Sequence, residues 1–276
     1  MYKQLLAIIL PAASDVQNPM VSGWLLPRYQ GLSARAPVRN RPCARLLFWK
    51  MIFSAKAILF DMDGVLIDSA PAVERVWRVW ALAHGFDPVS VVAQAHGRRS
   101  IETIRAVAPA MDAEKENIRV EQMEIEDKDG VTALPGAARL LAQLPDNRFA
   151  IVTSATRPLA LARLGYAGLP VPRHMVTADD VVHGKPSPEP YLKGAALLGF
   201  TQADCLIFED SPAGISSARS AGMKAIALQT TYPADQLQAA HAIIGSLADV
   251  KANLADEGIT LEFASNSMGQ KPTKPL

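Results

Sequence analysis

Two aspartates one residue apart, Asp61 and Asp63, follow the apolar stretch Ala57–Phe60 (AILF) and lead straight into Gly64. An extended chain sends residues i and i+2 to one side, so both carboxylates face the same way and Met62 faces the other. The run before them shows no alternation, as in a strand buried on both faces of a parallel sheet, and open α/β sheets place ligands beyond the carboxyl ends of such strands. The plain alternative is an acidic turn after a strand. Three later stretches weigh against it: FAIVT (149–153) runs into Ser154, Lys185 sits between Gly184 and Pro186, and CLIF (205–208) runs into Glu209, Asp210 and Ser211. In a parallel sheet, Asp61, Asp63, Ser154, Glu209 and Asp210 all emerge at one edge, within reach of Lys185 from its loop. Two unit charges ~4 Å apart interact by about 4 kcal/mol at an effective dielectric near 20, so carboxylates gathered there need cations beside them. An all-oxygen set suits a hard divalent ion, and magnesium binds through one or two carboxylates plus water and substrate phosphate. Lys185 and Mg2+ together would hold a phosphate dianion against an attacking carboxylate, which is phosphoryl transfer.

The elements that must position these groups follow from the hydrophobic pattern. Ser69 and Pro71 offer an N-cap and an early-turn proline to a helix with Val73, Val76, Trp77, Trp80, Ala81 and His84 at spacings of three and four, stopped by Gly85. Further helices are expected from Ser100 to Val107 and from Ala113 to about Lys128, and the stretch from Ser69 to Val131 shows no convincing strand. It reads as a small helical unit. After Pro135 and Gly136, helices and short apolar strands alternate to Leu228. That alternation argues for an α/β parallel sheet with helices on both faces, interrupted by the helical insertion. The expected division is 54–67 and 134–250 for the sheet unit, 68–133 for the insertion, 1–53 for an appended segment without fixed structure and 251–276 for a loose polar tail.

Composition bounds the partners. The chain has 276 residues, of which 49% are hydrophobic and 20% charged, as in ordinary globular proteins. Residues 1–50 hold Lys3, Arg28, Arg35, Arg39, Arg41, Arg45 and Lys50 against Asp15 alone, a surplus of six; with a total of +1, the remainder carries −5. A mildly acidic body gives no nucleic-acid footprint. Five prolines break up the first 50 residues, where a secretory or organelle-targeting segment is the weaker reading and Met51 stands as a candidate translation start. Cys43 and Cys205 do not make a disulfide framework, so a reducing compartment, the cytoplasm, is expected, and no apolar run approaches the ~20 residues that span a bilayer. His84, His174, His183 and His241 lack metal-ligand spacing.

DMDGVLIDS, VTS, GKPSPEPY and FEDSPAGISSA, in this order between Asp61 and Ala221, resemble the four motifs of the haloacid dehalogenase superfamily. The insertion after the first motif is similar to the helical cap of the branch that holds beta-phosphoglucomutase and the sugar and polyol phosphatases. The resemblance implies a Rossmann-like core with a mobile cap. It further implies that Asp61 is the nucleophile that becomes phosphorylated, Asp63 the general acid and base, Ser154 the hydroxyl on the phosphoryl oxygens and Lys185 the cation that steadies them. Asp61, Asp63 (through its carbonyl), Glu209 and Asp210 match the magnesium site, with Asp210 the more direct ligand of the acidic pair. The dehalogenases of the superfamily lack the second aspartate, so Asp63 argues against that reaction.

The substrate is read from the insertion. His96, Arg98 and Arg99 in HGRRS open a cap helix, in a stretch similar to one in the sugar and polyol phosphatases, and paired guanidiniums can hold a polyhydroxylated or anionic substrate. A solvated basic turn is the bland alternative. The expected function is a magnesium-dependent phosphatase of a small sugar or polyol phosphate, acting as a monomer without nucleic-acid or membrane partners. Beside it stand a hexose-phosphate mutase and, less favoured because every catalytic position is filled, a non-catalytic binding protein.

Overall fold

The computed structural model describes residues 50–264; the expectations for residues 1–49 and 265–276 fall outside them. After β1 (Lys50–Ala55) come β2 (Ala57–Phe60), the two-residue β3 (Ile67–Asp68) and four helices, α1 (Ala70–Ala83), α2 (Pro88–Ala95), α3 (Ser100–Val107) and α4 (Ala113–Glu126). β4 (Thr132–Ala133) pairs antiparallel with β3 and closes this excursion. The chain then runs α5 (Ala137–Gln143), β5 (Phe149–Val152), α6 (Arg157–Tyr166), β6 (Met175–Val176), α7 (Glu189–Leu198), β7 (Cys205–Glu209), α8 (Pro212–Ser220), β8 (Lys224–Leu228) and β9 (Ala242–Ile244). It ends in β10 (Lys251–Ala255) and β11 (Gly258–Ala264).

Six strands form a parallel sheet in the order β6-β5-β2-β7-β8-β9. Successive residues of β2, β5 and β7 alternate between two cores. Ile58, Phe60, Ile151 and Phe208 pack on one face with Leu140 of α5 and Leu159 of α6. Leu59, Ala150, Val152 and Ile207 pack on the other with Tyr191 of α7 and Ala218 of α8. Because helices cover both faces, the six strands are polar only at their ends, at Lys224 and Glu209, which is why their interiors read as unbroken apolar runs. Phe60 stacks on Phe208 at 5.3 Å between ring centres, and burying each such ring contributes ~1.5–3 kcal/mol. The four inserted helices carry their own core around Val76, Trp77, Ile104 and Val120.

The structure departs from expectation at both edges of the sheet unit. Residues 251–264, expected as a loose tail, and residues 50–53, expected in the appended segment, form a three-stranded antiparallel sheet in the order β1-β11-β10. Alternation in GITLEFA buries Ile259, Leu261 and Phe263 against the main core; the polar composition around that hairpin masks the period-two signal. α2 was also absent from the expected elements, although Asp87, which accepts from Ser90 N at 2.9 Å, and Pro88 mark its start.

Candidate active site

β2, β5 and β7 are neighbours in the sheet, so their carboxyl ends bring residues far apart in sequence together. Asp61 follows β2, its backbone N–H donating to Phe208 O at 2.9 Å. Lys185 Nζ lies beneath it and donates to Asp61 Oδ1 at 2.7 Å, Glu209 Oε1 at 2.7 Å and Val152 O at 3.1 Å. Three donors meet three acceptors. Burial works against the ammonium, but Asp61 and Glu209 outweigh it and hold Lys185 above its ordinary value.

Glu209 is saturated. Its Oε1 accepts from Lys185 and from Tyr191 Oη at 2.9 Å. Its Oε2 accepts from the N–H groups of Asp210 and Ser211 at 2.8 Å each and from Ser211 Oγ at 3.0 Å. Burial opposes its charge, and Lys185 leads the donors that nevertheless keep Glu209 below the usual carboxylate range.

Asp61, Glu209 and Asp210 each present a carboxylate oxygen within 4.8 Å of the others, and all three are buried. One lysine cannot balance them. Burial pushes Asp61 up to about 7 against the pull of Lys185, and burial with the charges of Glu209 and Asp61 raises Asp210 well above the carboxylate range. The excess negative charge and the all-oxygen donor set fit a hard divalent cation. With both oxygens of Glu209 already filled, Asp61 and Asp210 are the carboxylates with capacity to bind it.

Asp63 lies across from this cluster. Ser69 Oγ donates to its Oδ1 at 2.6 Å and Arg163 Nη1 to its Oδ2 at 2.9 Å. Ser69, the expected cap of α1, thus spends its hydroxyl on Asp63, while Asp68 Oδ1 accepts from Ala70 N at 3.2 Å. Arg163 also faces Glu124 Oε2 of α4 at 3.5 Å.

A cavity of about 230 Å3 opens between the sheet edge and the inserted helices. Asp61, Asp63, Ser154 and Asp210 line it from the sheet side, and Trp77, His96, Arg98 and Glu124 from the insertion. Burial lowers the pKa of His96. Thr153 Oγ1 is occupied by Ala155 N–H at 3.1 Å. Two of the expected substrate contacts lie off the wall. Lys185 sits behind Asp61, and Arg99 turns away, donating from Nη1 to Val182 O at 3.1 Å and pairing with Glu102 at 3.6 Å. Packing against the segment before Lys185 captures Arg99, and its Nε is buried there without a hydrogen-bond partner.

Sequence reasoning missed Arg163, Glu124 and Tyr191. A signal existed for two of them. Arg163 shares the buried stripe of α6 with Leu159, Ala160 and Leu164, and Glu124 that of α4 with Val120 and Ala113; a charge on an apolar helical face requires a buried partner.

A model of the haloacid dehalogenase-like hydrolases matches residues 55–222. Hexitol phosphatase A of Escherichia coli K12 is 41% identical over 208 residues, which cover 74% of this chain and 96% of that protein. Glycerol-1-phosphate phosphohydrolase 2 of Saccharomyces cerevisiae is 37% identical over 195 residues, covering 66% of this chain and 78% of that protein. Among solved structures, a hydrolase from Pseudomonas syringae superposes with a TM-score of 0.65 at 24% identity, covering 70% of this chain and 95% of that one. That last likeness is one of fold.

Proposed function

The chain belongs to the haloacid dehalogenase-like hydrolases, and we propose that it acts as a phosphoric monoester hydrolase on a small sugar or polyol phosphate, using magnesium and an aspartyl-phosphate intermediate. The observation that carries this reading is the Lys185–Asp61 contact of 2.7 Å inside a buried acidic cluster, facing a cavity that Asp63 also lines. The hexitol and glycerol-1-phosphate specificities named for the two relatives support the substrate class.

An Asp61 oxygen attacks phosphorus, the ester P–O bond breaks, and Asp63 gives its proton to the departing alcohol oxygen. Water then attacks the aspartyl-phosphate while Asp63 takes its proton, and Asp61 is released with inorganic phosphate. Lys185 offsets the charge of Asp61 and the phosphoryl group, and the Ser154 hydroxyl donates to the phosphoryl oxygens. Asp61, Asp210 and the Asp63 carbonyl would hold magnesium, whose charge, when bound, stabilises the phosphoryl oxygens. Glu209 serves by fixing Lys185, Tyr191 and the turn at Ser211. His96 and Arg98 face the substrate, and Arg99 seats the cap. No helix among the described residues is long and apolar enough to cross a membrane. The proposed setting is the cytoplasm, where the enzyme acts as a monomer on a small molecule.

Hydrolysis is favoured over mutase chemistry because no lysine lines the cavity among the described residues to hold a second phosphate. Steady release of inorganic phosphate from sugar and polyol phosphates with Mg2+ is the expected result. Interconversion of glucose phosphate isomers without phosphate release would replace the phosphatase by a mutase. Asp61→Asn should abolish turnover with the fold retained by circular dichroism; an unchanged rate would remove Asp61 from the reaction.

A further inference from the structure

Arg163 lies outside all four motifs, yet its guanidinium is buried at the reacting edge. The residue is 5% exposed, and both arms of its fork are committed, Nη1 to Asp63 Oδ2 at 2.9 Å and Nη2 to Glu124 Oε2 at 3.5 Å. Burying a guanidinium is costly unless it is paired and hydrogen-bonded. Here the pairing runs from a helix of the cap, through a helix of the core, to the carboxylate beside the nucleophile. Glu124 is in turn only 6% exposed. With Ser69 Oγ on the other oxygen at 2.6 Å, Asp63 is fixed by donors from two separate elements.

Resting on the reading of Asp63 as acid and base, we propose that Arg163 is the positioning residue for that carboxylate, held in register by Glu124. The chemistry follows from what each partner can do. A guanidinium only donates and stays charged throughout. Oδ2 of Asp63 therefore remains an acceptor, and the proton of neutral Asp63 falls to Oδ1. There the Ser69 hydroxyl, which can donate or accept, serves both charge states: it donates to the carboxylate and accepts from the acid. The proton is thereby kept on one defined oxygen until the ester oxygen takes it. Arg163 itself gives up no proton and carries no phosphate.

Loss of a positioned acid is felt in proportion to how poor the leaving group is, whereas loss of a phosphate contact or of general packing is felt equally by all esters. The test is kcat/KM, which covers all steps through ester cleavage, for aryl phosphates from p-nitrophenyl to phenyl and for an alkyl polyol phosphate. Arg163→Met should change p-nitrophenyl phosphate by less than about 3-fold, lower phenyl phosphate about 10-fold and lower the polyol phosphate about 100-fold, within the range that general acid catalysis and its geometry supply. Arg163→Lys should recover part of the loss on the poor leaving groups. Glu124→Gln should give the same slope in weaker form. Asp63→Asn is the reference and should show the slope at its steepest. A parallel loss in Arg163→Met, or no loss, overturns the proposal while Asp63→Asn still shows the slope; a parallel loss in Asp63→Asn instead overturns the reading of Asp63 on which it rests. Should Arg163→Met fail to fold, Arg163→Met with Glu124→Gln removes the unpaired buried charge. In that double variant a loss graded by leaving group supports the proposal, and a parallel loss or none overturns it.

Discussion

A Cβ placed on Gly64 would fall 1.9 Å from Asp210 Oδ2. The turn after Asp63 therefore rests directly on the carboxylate that follows β7, at a φ of +75° that side chains rarely adopt. Gly64→Ala must push Asp210 aside as well as strain the turn. Its activity should half-saturate at a Mg2+ concentration raised at least about 10-fold, as one lost ligand contact of about 1.4 kcal/mol or more would give. A titration of phosphate release against Mg2+ checks this, and an unchanged midpoint would remove Asp210 from the cation site.

Lys185 is the counter-charge for Asp61 and Glu209, at 2.7 Å from each. Breaking a buried ion pair from one side typically costs ~3–5 kcal/mol. Urea unfolding of Lys185→Met at pH 7 should show a loss of that order, and Mg2+ should recover part of it. A variant as stable as the parent would show that Lys185 does not balance the cluster.

Glu116 gives the cap an acid-sensitive joint. It accepts from Trp80 Nε1 at 3.1 Å, His84 Nε2 at 3.1 Å and Arg119 Nη1 at 3.0 Å. Burial opposes its charge, but the Trp80 hydrogen bond, Arg119 and His84 outweigh it and hold its carboxyl below the usual range. A carboxylate depressed on folding contributes stability that is complete above its unfolded value and is lost as the pH falls through the depressed one. Thermal melts followed by tryptophan fluorescence should fall in midpoint as the pH drops from about 5 to about 3, and Glu116→Gln should flatten that fall. Parallel curves for the two proteins would refute the assignment.

Arg99 bridges the cap to the segment before Lys185, and a Cβ on Gly184 would lie 2.5 Å from Arg99 Cδ. Arg99→Ala should speed amide hydrogen exchange across residues 182–185 in the free enzyme and raise KM several-fold. If Arg99 acted on substrate alone, exchange in the free enzyme would stay as it was.

How much could be read beforehand depends on where each property resides. The acidic and basic residues of the reacting edge were legible because a parallel sheet turns the order of strand ends into spatial adjacency: Asp61, Glu209 and Asp210 meet wherever β2 and β7 pair. The directions of Arg98 and Arg99 were not, since these neighbours share a turn and only packing against Gly184, far along the chain, separates one from the other. The shared duties of Glu209 are equally tertiary, arising from a tyrosine, a lysine and two backbone amides that converge on it. Arg163 lay between these cases, visible as a charge on an apolar stripe but silent about what it faced. The β10–β11 hairpin shows a local signal overlooked for its polar setting.

The two rungs of β3 and β4, Ile67↔Ala133 and Asp68↔Thr132, have a consequence for descent. Everything between Asp68 and Thr132 enters and leaves through one gate about 4.8 Å wide, the spacing of adjacent strands. A foreign helical unit with ends that close can be grafted there without breaking β2, which Asp61 follows. The inserted helices and the reacting edge are thus heritable as separate modules, and two contacts, Ser69 on Asp63 and Glu124 on Arg163, are what a transplanted unit has to honour at the acid.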